Sequence, residues 1–190
     1  ISQMCSGCHA KESGIYAKSV HGRSSEASND VPVCTDCHRA HDTTDPRDGA
    51  LAMRTPEICG RCHTDEKLMS RYGLSTKVVD TYLADFHGMA ASLQHGKKKG
   101  PGVRLAAVCT DCHGSHGIGF ARTDKSAGAQ RCGTCHDDIY RIYASSIHGN
   151  ALLNEHNTDV PVCVNCHTAH TIEDARTTDY RDKVPEICGT

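Results

Sequence analysis

The 190-residue sequence predicts a mainly irregular chain with short α-helices, built from tandem modules and not around a conventional apolar core. Three observations predict this. Aromatic residues make up 4%, tryptophan is absent and the mean hydropathy is −0.49, so side-chain material for a packed interior is scarce. The pattern Cys-x-x-Cys-His stands six times, at Cys5 to His9, Cys34 to His38, Cys59 to His63, Cys109 to His113, Cys132 to His136 and Cys163 to His167. Further residues recur in register between the copies, so the chain repeats itself.

The six copies take up Cys5, Cys8, Cys34, Cys37, Cys59, Cys62, Cys109, Cys112, Cys132, Cys135, Cys163 and Cys166. The thirteenth cysteine, Cys188, opens a seventh copy. Cys-x-x-Cys-His is the attachment pattern of c-type haem. Two thiols three positions apart share one side of a short helical turn and reach the two vinyl groups on one porphyrin edge. The histidine that follows faces the iron as its proximal ligand. Zinc sites also use Cys-x-x-Cys pairs but give no reason for a histidine after every one. A disulfide framework leaves the histidines unexplained, and thioredoxin-type chemistry needs one pair in a βαβ context. The expected cofactor is therefore haem c, with six complete sites and a seventh begun at Cys188. Six large apolar haems then serve as the core, and loss of haem is expected to unfold the chain.

The odd-numbered motifs lead to a His-Gly pair: His21-Gly22, His87-Gly88 and His148-Gly149. The even-numbered motifs are each followed three residues on by another histidine: His41, His116 and His170. One unit is thus a motif, a segment reaching His-Gly, a second motif and a trailing histidine. The expected divisions are dihaem module 1 at 1–55, module 2 with an insertion at 56–129, module 3 at 130–184, and the start of a fourth at 185–190. Val31-Pro32-Val33-Cys34 recurs as Val160-Pro161-Val162-Cys163, and Pro56-Glu57-Ile58-Cys59-Gly60 recurs as Pro185-Glu186-Ile187-Cys188-Gly189. By that analogy a Cys-His pair is expected after Thr190, and the chain reads as part of a longer polyhaem protein. Its start at Ile1, with the first motif already at Cys5, reads as a mature or trimmed end.

Within a module, Ile139, Ile142, Tyr143 and Ile147 fall on one helical face. Ile15, Tyr16, Ser19 and Val20 echo them, as do Tyr82, Leu83 and Phe86, with Met89, Ala90 and Leu93 extending that face. The His-Gly pair is expected to end each helix, with the glycine at the left-handed position beyond it. Prolines before the motifs favour extended approaches. The Asp- and Arg-rich stretches 42–53 and 171–183 read as exposed loops, with solvated carboxylates preferred over a calcium site at Asp42, Asp45 and Asp48. The insertion of module 2 lies in 68–81 and 94–102. It includes the basic run from His95 through Lys97, Lys98 and Lys99, read as a solvated turn before a docking loop for an acidic partner.

Counting histidines distinguishes closed irons from open ones. Of fourteen, His9, His38, His63, His113, His136 and His167 are proximal. His21, His41, His87, His116, His148 and His170 recur with the module and match the irons six to six, which predicts bis-histidine, low-potential haems. A trailing histidine lies on the same side of the haem as its own proximal neighbour, so it is expected to cross to an adjacent haem. The His-Gly histidines are open to either haem of their module. His95 and His156 do not recur and read as surface residues or as ligands to a haem outside the chain. Met4, Met53, Met69 and Met89 are not periodic and read as gap-fillers.

The formal charge is −2 and the sequence pI 6.7, and haem propionates add acidity. No basic face with aromatic platforms points to nucleic acid. No apolar run approaches the roughly 18 residues of a membrane span. On its six motifs, trailing histidines and His-Gly pairs, the chain resembles the multihaem c-type cytochromes with doubled Cys-x-x-Cys-His motifs. The resemblance implies a periplasmic or extracellular electron-transfer protein whose partners are other redox proteins, multihaem cytochromes among them, and no catalytic residue. It also raises two alternatives. One is a head-to-tail homopolymer forming a conducting extracellular filament. The other is a reductase of a small nitrogen or sulfur species with one open haem. Pentahaem nitrite reductase, a similar protein, has lysine in its catalytic motif, and no Cys-x-x-Cys-Lys occurs here. Octahaem hydroxylamine oxidoreductase leaves one iron without a distal ligand, against which the six-to-six count stands.

Overall fold

A computed structural model describes residues 2–24, 30–46, 49–94, 106–119 and 124–189. Among these residues the regular structure is helical, with no strand, and most helices last one to two turns. In order they are α1 (Ser2–Ser6), α2 (Ala10–Ala17), α3 (Val20–Ser24), α4 (Cys34–His38), α5 (Ala50–Met53), α6 (Thr55–His63), α7 (Glu66–Ser70) and α8 (Val78–Ala84). Then come α9 (Phe86–Gln94), α10 (Cys109–His113), α11 (Lys125–Gly133), α12 (Asp137–Ser145), α13 (Ile147–Leu153), α14 (Cys163–His167) and α15 (Thr178–Gly189). Two units pack separately: Ile1–Asp80 with Ala90–Phe120, and Thr81–Met89 with Ala121–Thr190.

The even motifs form helices of identical design. Val33, Val108 and Val162 precede them in extended conformation. A side chain inside the motif then reaches back to the valine N–H: Asp36 accepts at 2.6 Å, Asp111 at 2.8 Å and Asn165 at 2.9 Å. Each satisfies a donor that the helix start leaves over. The residue after the motif histidine has positive φ: Arg39 at 60°, Gly114 at 77° and Thr168 at 61°. This reversal, natural only for glycine, stops the helix after five residues and turns the chain toward the trailing histidine.

The His-Gly pairs depart from expectation, because they open helices. His21, His87 and His148 are second residues of α3, α9 and α13. The glycines follow from this. A Cβ on Gly22 would lie 2.0 Å from the carbonyl oxygen of Tyr16, on Gly88 1.9 Å from that of Tyr82, and on Gly149 2.0 Å from that of Tyr143. Each glycine is therefore required for close approach of the new helix to the end of the one before it. A cap accompanies it: the glycine N–H donates to Ser19 Oγ at 3.0 Å, Asp85 Oδ1 at 2.8 Å and Ser146 Oγ at 3.2 Å. Tyr16 and Tyr143 also donate their hydroxyls to the carbonyls of Pro32 and Pro161, tying the helix to the approach of the next motif.

Two further expectations are corrected. The stretches 42–53 and 171–183 are not loops throughout, since α5 and the start of α15 lie within them. Proline approaches are extended only before even motifs; Pro56 occupies the first turn of α6, where its missing N–H costs nothing, and Pro185 lies inside α15. Asp42 pairs with Arg39 at 2.6 Å, and Asp48 is outside the described residues.

Buried apolar residues are few. In the first unit Ala91, Ala106 and Val108 cluster, with Ala52, Met53 and Ala90 against them. In the second, Ala129, Leu152, Val162 and Tyr180 are buried. Meanwhile Ile139, Ile142 and Ile147, the predicted apolar face, are 66%, 67% and 82% exposed. The amphipathic helix is present, and polypeptide does not cover it.

Gly149→Ala should destabilise the haem-loaded protein by about 1–3 kcal/mol through overpacking against Tyr143. Gly128→Ala, in α11 with open space around it, should be neutral or stabilise by up to about 1 kcal/mol. Denaturant unfolding of the two variants checks this, and equal effects would contradict the close-approach account.

Candidate haem-binding site

In the first and fifth motifs the attachment turn is closed by the first cysteine. Cys5 carbonyl oxygen accepts from the N–H of Cys8 at 3.2 Å and of His9 at 2.9 Å; Cys132 does the same for Cys135 at 3.2 Å and His136 at 2.9 Å. Both thiols and the imidazole therefore leave one compact turn. Among the described residues no cysteine forms a disulfide, and all thirteen are partly or fully exposed. In module 2 the leading thiols of the two motifs meet. The Cys59–Cys109 hydrogen bond pushes the Cys59 thiol up and holds Cys109 below its ordinary value. In module 3 the hydrogen bond from Cys132 holds the Cys163 thiol down to about 6. The two attachment edges of such a module therefore adjoin.

Among the described residues three pairs of histidine rings face each other. His38 and His116 stack with centroids 5.7 Å apart, 26° between planes and their Nε2 atoms 3.5 Å apart. His21 lies 6.3 Å from His63, and His87 lies 6.1 Å from His136, centroid to centroid. Every pair joins a motif histidine to a recurring spare one. Burial pushes His21, His38, His63 and His87 below the ordinary imidazole value of 6.5. The facing ring adds to this for His21, His38 and His87, while Asp85 opposes it at His87. Such rings are unprotonated at neutrality, as a metal ligand must be.

Against expectation, His21 and His87 do not face the histidines of their own modules. Each faces the first motif histidine of the next. His116 faces the motif histidine His38, which lies in the preceding module. Among the described residues His9, His41, His148 and His167 face no second histidine ring; His167 instead stacks on Tyr180 at 5.4 Å. His113 ends α10, and His170 follows α14 by three residues. His156 is exposed, with φ of 55° in the turn after α13. His95 and the lysine run lie outside the described residues. Met69 is buried, while Met4 and Met89 are exposed.

Sequence reasoning missed the residues that position the His-Gly histidines. Their signal is legible as Tyr-x-x-(Ser/Asp)-x-His-Gly at Tyr16, Tyr82 and Tyr143. Module 2 replaces serine with Asp85, which is 5% exposed and has a second carboxylate oxygen without a partner. Two backbone bonds that pattern does not announce also recur. Val20 N–H donates to the carbonyl of Ile118 at 2.8 Å, and Phe86 N–H to that of Ile172 at 3.2 Å.

The donor set fits c-type haem. Thiol pairs outside any disulfide stand beside exposed or half-buried imidazoles, and opposed imidazoles stand at near-ligand spacing: a metal between two rings separates their nitrogens by about 4 Å, twice a ~2 Å bond. Open hollows lie against two motifs, one lined by Cys135, His136, Ile139 and Arg141 and the other by Cys166, His167, Tyr180 and Ile187. Strandless short helices, a meagre protein core and repeated attachment turns define a haem-carrying protein. The doubled CXXCH motif family matches residues 21–68, and the cytochrome c3 family matches residues 102–188. No curated protein and no solved structure matches the chain. The chain is a multihaem c-type cytochrome, and its chemistry is haem-based electron transfer. Among the described residues no helix is long and apolar enough to cross a membrane.

The lowered histidine values set a direction for pH. An unfolded histidine takes up a proton near 6.5, before the buried ones do, so stability is full above 6.5 and falls as the solution is acidified below it. Thermal unfolding from pH 8 to 4 should show the midpoint dropping only on the acid side. A midpoint that rises below pH 6.5 would contradict the burial of these rings.

Proposed function

We propose that the chain is an electron conduit carrying six haems, one on each complete motif, with every iron held between two histidines. The observation that carries this reading is the pairing of His63 with His21, His38 with His116 and His136 with His87. Each proximal histidine of these three already has a second imidazole opposite it. The remaining spare histidines, His41, His148 and His170, occupy the same places in the repeat. Haem c supplies a one-electron couple at each iron.

The polypeptide supplies position. The motif turns fix attachment and proximal ring, and the Ser19, Asp85 and Ser146 caps fix the helices that present His21, His87 and His148. The adjoining leading thiols of modules 2 and 3 keep two haems of a module close. The exposed isoleucine face of α12 and α13 is apolar cover for a porphyrin and excludes water from it. Two-sided nitrogen ligation keeps the potentials below those of methionine-ligated haems. The divisions 1–55, 56–129 and 130–184 are then dihaem modules, each repeating one attachment scheme.

Partners on this reading are other redox proteins, multihaem cytochromes in particular, that exchange electrons at an exposed haem edge. The place of action is the periplasm or the cell exterior, where c-type haem is attached.

Coulometric titration of the purified protein should take up six electrons per chain, all at potentials below the methionine-ligated range. Fewer than six, with the protein mass accounting for every haem, would contradict the proposal.

A further inference from the structure

The geometry points to a ligation register displaced by one module at three irons: the histidines opposite His38, His63 and His136 come from the modules beside their own. This rests on the bis-histidine reading above and assigns its ligands. The His-Gly histidine of one module serves the first haem of the next, so His21 serves the iron of Cys59/Cys62 and His87 that of Cys132/Cys135. The trailing histidine serves the second haem of the module before, so His116 serves the iron of Cys34/Cys37.

Independent observations share the displacement. Two His-Gly pairs show it in the forward direction, at His21 to His63 and His87 to His136. The pair His116 to His38 shows it in the reverse direction, with the two Nε2 atoms 3.5 Å apart. The backbone repeats it without any histidine. Val20, just before His21, donates to Ile118, two residues after His116; Phe86, just before His87, donates to Ile172, two residues after His170. In both cases the start of a His-Gly helix is tied to the tail of the following module. A Cβ on Gly117 would come within 3.0 Å of Ile15, so module 1 and the tail of module 2 are also in side-chain contact. The doubled CXXCH match runs from 21 to 68 and so encloses His21 together with His63.

The alternative is ligation inside the module, with His21 on the iron of Cys5/Cys8 or of Cys34/Cys37. Chain length permits it, but the ring of His21 faces His63. The reversal after each even motif, at Arg39, Gly114 and Thr168, ends the motif helix before the trailing histidine. The consequence is mechanical as well as electronic. Two iron–histidine bonds of opposite direction clamp modules 1 and 2, adding to the small apolar contact of Ala52 and Met53 with Ala91, Ala106 and Val108.

The test uses the haem-loaded full chain. His21→Ala should bind one more carbon monoxide per chain than the parent and add one high-spin electron paramagnetic resonance signal. Adding Cys59→Ser and Cys62→Ser removes the third haem and should abolish that extra site. If the extra site persists, His21 serves an iron of its own module and the displaced register is wrong. If His21→Ala opens no iron at all, His21 is not a ligand and the bis-histidine reading itself falls. Should the alanine variant fail to mature, His21→Met retains a ligand and should raise the midpoint of one haem. That raised wave should be missing when Cys59 and Cys62 are replaced, and its survival overturns the register. His116→Ala with Cys34→Ser and Cys37→Ser is the reverse-direction counterpart, with the same two outcomes.

Discussion

Shortage of apolar side chain is the constraint on which the structure depends. Among the described residues Val108 is the largest side chain that is fully enclosed, and the rest of the buried apolar set is three alanines with Met69, Tyr82, Leu152, Val162 and Tyr180, spread through the two units. Full burial of one such aliphatic side chain contributes roughly 1.5–3 kcal/mol, whereas ordering each backbone residue costs about 1–2 kcal/mol. A chain of this composition cannot fold on side-chain burial alone. Haem supplies the missing apolar mass, which explains why isoleucines at 139, 142 and 147 point outward from the polypeptide and why helices need be no longer than an attachment turn.

Given that constraint, the polypeptide's work is to fix angles. The means are local and repeated. A side chain inside each even motif caps the valine before it, a positive φ ends the turn, and a glycine lets the His-Gly helix touch the carbonyl of a tyrosine six residues earlier. None of these needs a large core. Thr168 and Arg39 hold a backbone conformation suited to glycine, which costs on the order of 1–3 kcal/mol each. Gly114 stands at the matching place in module 2 and adopts the conformation without that cost.

Much of this was legible in the sequence. The motifs and the shortness of the helices follow from spacing and composition. The direction of the His-Gly helices did not. Glycine after a histidine suggests a helix end through positive φ, yet here it is required by close approach inside a helix, and local sequence does not separate the two. The repeat Tyr-x-x-(Ser/Asp)-x-His-Gly held the clue, since serine or aspartate three residues before the glycine is a helix-start signal. The pairing of His21 with His63 was beyond reach for a different reason. Equivalent histidines in a repeat are chemically identical, and only the three-dimensional path of the chain distinguishes a neighbour in the same module from one in the next.

The central claim is that haem is the structural core. The most direct measurement is hydrogen exchange on the 190-residue chain produced without haem attachment, compared with the haem-loaded protein. The account predicts that the haem-free chain has no protected amides in the helices that carry His21, His87 and His148, while the loaded protein protects them strongly. A haem-free chain with the same protection in those helices would show that polypeptide packing alone holds the fold, and would contradict the claim.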